Sequence, residues 1–86
     1  MKEIKITVTN PTGLHTRPGT EFVRLAKKFE SNIVIKKSDK VADGKSLVKV
    51  LKLGISQGSE IVITTDGEDE EKALDTLCQY IKNLTE

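Results

Sequence analysis

The chain turns from strand to helix within residues 10–18, Asn10-Pro11-Thr12-Gly13-Leu14-His15-Thr16-Arg17-Pro18. Before this stretch, apolar and polar residues alternate from Ile4 to Val8, and this period of two predicts a half-buried strand. After it, apolar residues recur at helical spacing from Phe22 to Phe29, which predicts an amphipathic helix of about three turns. Pro18 is tolerated in a first helical turn because its missing N–H has no helical acceptor there to lose. We therefore expect a strand, a turn and a helix whose first turn holds Arg17 and Pro18.

The rest of the chain predicts three further strands and two further helices. Runs rich in β-branched residues predict strands at 32–36 and 60–65, and a short strand is expected around 40–41, after the turn at 37–39. Ser46 can cap a short helix over 47–52, and Asp69 can cap the last helix. The buried stripe of that last helix comprises Leu74, Leu77, Cys78, Ile81 and Leu84.

The order β-α-β-β-α-β-α, with short connections, favours antiparallel pairing and an α+β fold. Helices are expected to cover one face of the sheet. The other face carries Lys5, Thr7, Lys36 and Thr64, so it can be exposed to water.

Length and composition limit the class of protein. The 86 residues, of which 36% are hydrophobic and 31% charged, predict a single domain over 1–86. No stretch is apolar enough for membrane insertion, and residues 1–5 lack the apolar run of a signal peptide. The single cysteine, Cys78, excludes an internal disulfide and a Cys-rich zinc site, and we interpret it as a small core residue. We expect a cytoplasmic protein with no metal and no cofactor.

Charge is distributed unevenly along the chain. Residues 1–53 carry twelve Lys/Arg and five Asp/Glu, a balance of +7, whereas residues 54–86 carry two and eight, a balance of −6. The basic residues near the histidine and in the 45–52 segment are Arg17, Arg24, Lys27, Lys28, Lys45, Lys49 and Lys52. A basic face of this kind can steer an acidic protein or a phosphorylated group toward it. Two Phe and one Tyr are too few for a base-stacking surface, so no nucleic-acid partner is expected.

His15 is the only histidine in the chain, and it stands where the turn meets the helix. Side chains at such junctions are usually exposed, and the helix dipole is positive there. Arg17, two residues on, offers the planar guanidinium that suits a phosphate dianion. An anion-linked role and a plain surface histidine both remain open from these residues alone, while catalysis that needs a second histidine is excluded.

Two motifs resemble those of a known family. Gly13-Leu14-His15-Thr16-Arg17-Pro18 is similar to the active-site motif of HPr, the histidine-containing phosphocarrier family of the bacterial sugar phosphotransferase system. Lys45-Ser46-Leu47, followed by Leu53-Gly54-Ile55-Ser56-Gln57-Gly58, resembles the second motif of that family. The likeness extends over the whole chain. It implies an open-faced β-sandwich, with three helices on one face of a four-stranded antiparallel sheet.

The resemblance also implies a function. His15 would accept a phosphoryl group on Nδ1 from enzyme I, itself phosphorylated by phosphoenolpyruvate, and pass it to enzyme IIA domains. Arg17 would stabilise the phosphate, and the backbone amides of Thr16 and Arg17 would bind its oxygens. Such a protein is a carrier without turnover of its own, so we expect no enzyme activity. Nothing in the sequence indicates oligomerisation, and we expect a monomer.

Ser46 has a structural interpretation as a helix cap and a regulatory one from the resemblance. The regulatory one implies phosphorylation by an HPr kinase/phosphorylase, followed by binding to a catabolite-control repressor. The predicted partner-docking residues are Leu47, Val48, Lys49, Leu51, Lys52, Arg24 and Lys27. Leu47, Val48 and Leu51 are expected to form an exposed apolar stripe, although Val48 could instead complete the core, while Val50 and Leu53 point inward.

Three other functions compete with a sugar-transport carrier. The first is a mainly regulatory HPr-like paralogue that acts through Ser46, although the presence of His15 argues against a variant that has lost phosphotransfer. The second is a small acylphosphatase-like hydrolase that holds phosphate with Arg17, but it lacks a second polar group for the attacking water. The third is a binding module without phosphate chemistry.

Overall fold

The seven elements follow one another in the predicted order β-α-β-β-α-β-α, in a computed structural model that describes residues 1–85. The strands are β1 (Lys2–Thr7), β2 (Asn32–Lys37), β3 (Lys40–Asp43) and β4 (Glu60–Asp66). The helices are α1 (Thr16–Ala26), α2 (Leu47–Lys52) and α3 (Glu70–Lys82). The α+β prediction is confirmed, and α1, with 11 residues, has the expected three turns, but it ends at Ala26, so Phe29 lies beyond the helix that its spacing predicts.

The four strands form one antiparallel sheet in the order β1-β4-β2-β3. The last strand in sequence, β4, lies inside the sheet, where Ile61 is opposite Ile6 of β1 and Ile63 is opposite Ile35 of β2. The strands β2 and β3 form a hairpin across a turn at Ser38, whose φ is 56°. The two edges of the sheet are therefore β1 and β3.

The helices cover one face of this sheet. Side chains that point toward them from β2 and β4 are 0–1% exposed, and these are Ile33, Ile35, Ile61 and Ile63. On the opposite face, Lys5 Nζ lies 3.3 Å from Glu60 Oε1, and Thr64 Oγ1 donates a hydrogen bond to Glu3. The expected open, polar face is confirmed, and the architecture is the open-faced sandwich that the resemblance implies.

The last helix packs on β1, β4 and α1, but its buried stripe differs from the prediction at three positions, Ala73, Leu74 and Leu84. Ala73, Leu77, Cys78 and Ile81 are buried, whereas Leu74 and Leu84 are only half-buried against the same core. The predicted burial of Cys78 is confirmed, at 4% exposure. Within residues 1–85, no helix combines the length and the apolar composition needed to cross a membrane.

Asp69 occupies the N-cap position of α3, but its side chain does not cap the helix. Its carboxylate instead accepts hydrogen bonds from the backbone N–H groups of Glu30 and Ser31, each at 2.9 Å, and from the Ser31 hydroxyl. The prediction of a side-chain cap is therefore wrong. These three donors lie far away in sequence, so Asp69 ties the end of the α1–β2 connection to the start of α3.

Candidate functional site

The loop between β1 and α1 is anchored on both sides of its glycine. The Leu14 N–H donates to the Ile55 carbonyl at 3.1 Å, and the Asn10 side-chain amide donates to the Gly13 carbonyl at 2.9 Å. Leu14 is 1% exposed and belongs to the core. Gly13 has a φ of +61°, and a Cβ added there would overlap the Ile55 carbonyl oxygen and lie 2.6 Å from Ser56 Cα. Only glycine permits this approach, so the loop preceding the histidine is fixed by the segment that follows α2.

His15 itself is exposed and occupies the N-cap position of α1, with φ −90° and ψ 152°. Its backbone N–H donates to the Thr12 carbonyl at 3.3 Å, whereas its side chain makes no capping hydrogen bond. The backbone of the residue is therefore held while the imidazole is presented to solvent. The predicted exposed junction is confirmed.

Thr16 carries a feature that the sequence does not reveal. Its φ is +50°, in the left-handed region, which costs a non-glycine residue about 1–2 kcal/mol and disfavours β-branched side chains most. The Thr20 hydroxyl donates to the Thr16 carbonyl at 3.0 Å and holds the peptide in place. Strained residues of this kind persist where the surrounding structure constrains them, and they concentrate at functional sites.

The first turn of α1 can receive an anion. Arg17 is exposed, Pro18 is buried and has no N–H, and no acidic residue stands in this turn. The backbone amides of Thr16 and Arg17 lie at the positive end of the helix dipole. The start of α1 therefore offers backbone donors and an exposed arginine, with no acidic residue of the first turn to compete for an anion.

Ser46 is the N-cap of α2, as predicted. Its Oγ accepts a hydrogen bond from the Lys49 N–H at 3.4 Å, and its carbonyl accepts one from Val50 at 3.0 Å. The residue is half-buried. Its hydroxyl therefore lies at the amino end of α2, next to a helix that carries Lys49 and Lys52 and no acidic residue in its first turn.

The apolar side chains of α2 are distributed differently from the prediction. Val48 is 63% and Leu51 is 38% exposed, but Leu47 is half-buried and packs against the core. The proposed core role of Val48 is wrong, because Val48 points outward and Leu47 takes that place. The inward orientation of Val50 and Leu53 is confirmed, at 1% and 4% exposure. The exposed stripe therefore consists of Val48 and Leu51.

The stripe lies beside the first turn of α1. A Cβ added at Gly19 would be 3.4 Å from Leu51 Cδ2. Leu51 therefore borders the turn that carries Arg17, which places an exposed apolar side chain next to the candidate phosphate site.

The predicted basic docking residues lie on two sides of α2. Arg24 and Lys27 line a cleft of about 220 Å³ between α1 and α2, together with Thr20 and Leu47. Lys49 and Lys52 instead line a groove of about 850 Å³ between α2 and β3, together with Lys40. The structure thus separates two pairs of cations that the sequence places in one basic face.

His15 thus combines an exposed side chain with a fixed backbone at a helix N-terminus, two residues before an exposed arginine, and this arrangement suits a phosphoryl carrier. A carrier must hold the group, present it and release it, so its acceptor has to be open to partners instead of enclosed in a cleft. His15 meets that requirement, while Ser46 and the Val48–Leu51 stripe lie on the neighbouring helix.

Comparison with known proteins agrees with this class. The family model for the phosphorylation site of the HPr component of the phosphotransferase system matches residues 2–83, and the chain belongs to the HPr family. It is 47% identical to the phosphocarrier protein HPr of Buchnera aphidicola subsp. Acyrthosiphon pisum over 84 residues, 98% of this chain and 99% of that protein. It is 42% identical to the HPr of Haemophilus influenzae over 83 residues, 96% of this chain and 95% of that protein.

A solved structure shows the same fold. The crystal structure of HPr-C-His from Thermoanaerobacter tengcongensis superposes with a TM-score of 0.94 at 41% sequence identity. The match covers 95% of this chain and 92% of that one. The protein is thus a phosphocarrier of the phosphotransferase system, a relay and not an enzyme. Membership of the HPr family excludes two of the competing functions, a hydrolase and a binding module without phosphate chemistry. It also implies enzyme I and enzyme IIA as partners.

Proposed function

We propose that His15 is the residue that accepts the phosphoryl group from phospho-enzyme I and passes it to enzyme IIA domains. The observation that carries this proposal is the exposure of the His15 imidazole at the N-terminus of α1, on a backbone fixed through Leu14 and Ile55. The Nδ1 lone pair attacks phosphorus while the bond to the donor atom on enzyme I breaks. The reverse displacement, on an acceptor atom of enzyme IIA, frees the imidazole for the next cycle.

The first turn of α1 stabilises the phosphorylated state in this proposal. The backbone amides of Thr16 and Arg17 donate to phosphate oxygens, and the Arg17 guanidinium provides a charged, planar donor. A helix N-terminus stabilises an exposed anion by roughly 0.3–1 kcal/mol. So modest a contribution suits a carrier, because a phosphate bound too tightly would not be passed on.

Docking of both partners is assigned to the surface around His15. Val48 and Leu51 supply exposed apolar contact beside the first turn of α1. Arg24 and Lys27 on one side of α2, with Lys49 and Lys52 on the other, supply the positive charge that attracts an acidic enzyme. We place this relay in the cytoplasm and assign it to the monomer.

Ser46 is proposed as a regulatory phosphorylation site for an HPr kinase/phosphorylase. The supporting observation is that Ser46, a residue only half-buried, places its Oγ at the amino end of α2. Transfer of a phosphoryl group from ATP to Oγ would add a charge of about −2 beside Lys49, at the positive end of the helix. The added charge would weaken docking to an acidic enzyme I and strengthen docking to a basic partner such as a catabolite-control repressor.

Phosphorylation of the purified protein tests the principal assignment. Incubation with phosphoenolpyruvate and enzyme I should add one acid-labile phosphoryl group, detected by mass spectrometry, and His15→Ala should take up none. Because His15 is exposed, the substitution should change the free energy of unfolding by no more than about 0.5 kcal/mol. Acid-labile phosphate on the His15→Ala variant would contradict the assignment.

A further inference from the structure

Tyr80, on α3, contacts the first turn of α1, the helix that packs beside it. Its hydroxyl donates a hydrogen bond to the Pro18 carbonyl at 2.9 Å, across 62 residues of sequence. The Tyr80 ring is tilted by 53° against the fully buried ring of Phe22, with the centroids 6.5 Å apart. The hydroxyl is therefore aimed by packing, and its contact with Pro18 is a feature of the folded core.

The Pro18 carbonyl belongs to the turn that presents the phosphoryl site. Pro18 directly follows Arg17, and the turn begins with the strained residue Thr16. Two carbonyls of this one turn accept side-chain hydroxyls: that of Thr16 accepts the Thr20 hydroxyl, and that of Pro18 accepts the Tyr80 hydroxyl. A left-handed Thr16 needs such external constraints, because its own preference is to relax toward a negative φ.

We propose that Tyr80 is a positioning residue for phosphoryl transfer. By holding the Pro18 carbonyl, its hydroxyl fixes the first turn in the orientation that aims the Thr16 and Arg17 amides and the Arg17 side chain at the phosphoryl group on His15. The inference rests on the proposed role of His15 and assigns the C-terminal helix a part in that role. Tyr80 touches no reacting atom in this scheme and acts through the backbone of α1.

Loss of the Tyr80 hydroxyl should lower the rate of phosphoryl transfer without weakening the docking of phospho-enzyme I. In Tyr80→Phe the ring still packs on Phe22, but the Pro18 carbonyl keeps only its acceptor role within α1 and loses its side-chain donor, so the first turn is held less tightly. The transfer rate constant from phospho-enzyme I at saturating carrier should fall by about three- to tenfold, the range that one hydrogen bond of ordinary net strength allows. The carrier concentration that gives half the maximal rate should stay unchanged, because Tyr80 lies outside the docking residues.

The chain offers a matched control. The Thr65 hydroxyl donates to the Glu70 carbonyl at 2.8 Å, so it also connects a buried side-chain hydroxyl to a helix carbonyl, but at the opposite end of α3. Thr65→Val removes that bond and should lower the melting temperature while it leaves the transfer rate at the wild-type value. Tyr80→Leu is the second variant without the hydroxyl and should be slowed at least as much as Tyr80→Phe.

Rapid-quench transfer rates, melting temperatures and the ¹⁵N amide shifts of Thr16 and Arg17 are measured for the wild type and the three variants. The expected result is slow transfer and shifted Thr16 and Arg17 amides in both Tyr80 variants, with neither change in Thr65→Val. A wild-type rate in Tyr80→Phe would overturn the inference, and so would an equal slowing in Thr65→Val, which would indicate a general loss of stability. If the wild type accepts no phosphoryl group on His15, the proposed function fails and this inference fails with it. If the wild type is phosphorylated and Tyr80→Phe has the same transfer rate, only the inference is overturned.

Discussion

Leu14 and Ile55 are joined by a backbone hydrogen bond of 3.1 Å, from the Leu14 N–H to the Ile55 carbonyl. This bond connects the loop that ends at His15 with the segment that follows α2. Both side chains are 1% exposed, so the bond is protected from water. The two motifs that identify the family in the sequence are therefore one structural unit, in which the second supports the first.

Gly13→Ala should disrupt that unit, and Gly58→Ala provides the control. Both glycines have positive φ, at +61° and +89°, but only at Gly13 would a Cβ overlap its neighbours; at Gly58 nothing lies within 4 Å. Gly58→Ala should destabilise the protein by about 1–2 kcal/mol, the ordinary cost of a left-handed conformation. Gly13→Ala should cost more and should also slow phosphorylation of His15. Urea denaturation and transfer rates test this, and equal costs at both positions would contradict the close approach at Ile55.

Arg17→Ala should slow phosphoryl transfer, and Arg17→Lys should not restore the full rate. Lysine keeps the charge but lacks the planar pair of donors that fits two phosphate oxygens. The measurement is the rapid-quench transfer rate for the three proteins at one ionic strength. If lysine and arginine transfer equally fast, charge alone is what the position supplies.

Ser46→Asp should raise the Michaelis constant of enzyme I for this carrier, while the fold remains intact because Asp is itself a good N-cap. The effect should decrease with added salt, since it is a repulsion between exposed charges. Ser46→Ala is the matched control: it loses the cap, worth about 1 kcal/mol, but introduces no charge. The measurement is the Michaelis constant of enzyme I for the wild type and both variants at two ionic strengths. A raised Michaelis constant in Ser46→Asp that added salt does not lower would point to altered packing of α2.

Asp69→Asn should lower stability at neutral pH and flatten the acid limb of the stability curve. The Ser31 hydroxyl and the backbone N–H groups of Glu30 and Ser31 lower the pKa of the Asp69 carboxyl below its ordinary value of 3.8. A carboxyl whose pKa is lower in the folded state stabilises the protein above the unfolded pKa, and this contribution is lost as the pH falls through the folded pKa.

Melting temperatures between pH 7 and pH 2 test this prediction. The difference in melting temperature between the wild type and Asp69→Asn should be largest at pH 7. It should shrink once the pH falls below about 3.8, the ordinary pKa of an Asp carboxyl. Asp75→Asn removes the same charge at an exposed position of the same helix. Its melting temperature should therefore follow that of the wild type at every pH. A gap that stays constant down to pH 2 would mean that the Asp69 bonds do not depend on its charge.

The sequence predicts most of the fold because hydrophobic period and turn residues are local signals. The positions of the seven elements, the Ser46 cap and the exposed His15 junction all follow from neighbouring residues. The errors arise where distant parts of the chain meet. Asp69 has the ideal residue type for a cap, yet the donors at Glu30 and Ser31 compete successfully for its carboxylate.

The same limit explains what was missed at the site. Leu47 and Val48 are adjacent on a six-residue helix, and only the packing of α2 decides which of them faces the core. The positive φ of Thr16 contradicts the propensity of a β-branched residue, so no local rule predicts it. The bond from Tyr80 to Pro18 joins two helices that are distant in sequence, and it becomes visible only once α3 is placed beside α1.

The internal position of β4 has a consequence for biosynthesis. Lys2 at the start of β1 pairs with Thr65 of β4, and the anchor of the histidine loop is Ile55, so a nascent chain cannot assemble either feature until those residues have left the ribosome. Before then, only the β2–β3 hairpin and the packing of α1 and α2 are available, and the partner strand of β1 is still missing. Because contacts so distant in sequence form late, the phosphoryl site should become competent only after Ile55 and β4 have been synthesised, and a nascent chain that stops before β4 should have no functional acceptor to offer enzyme I.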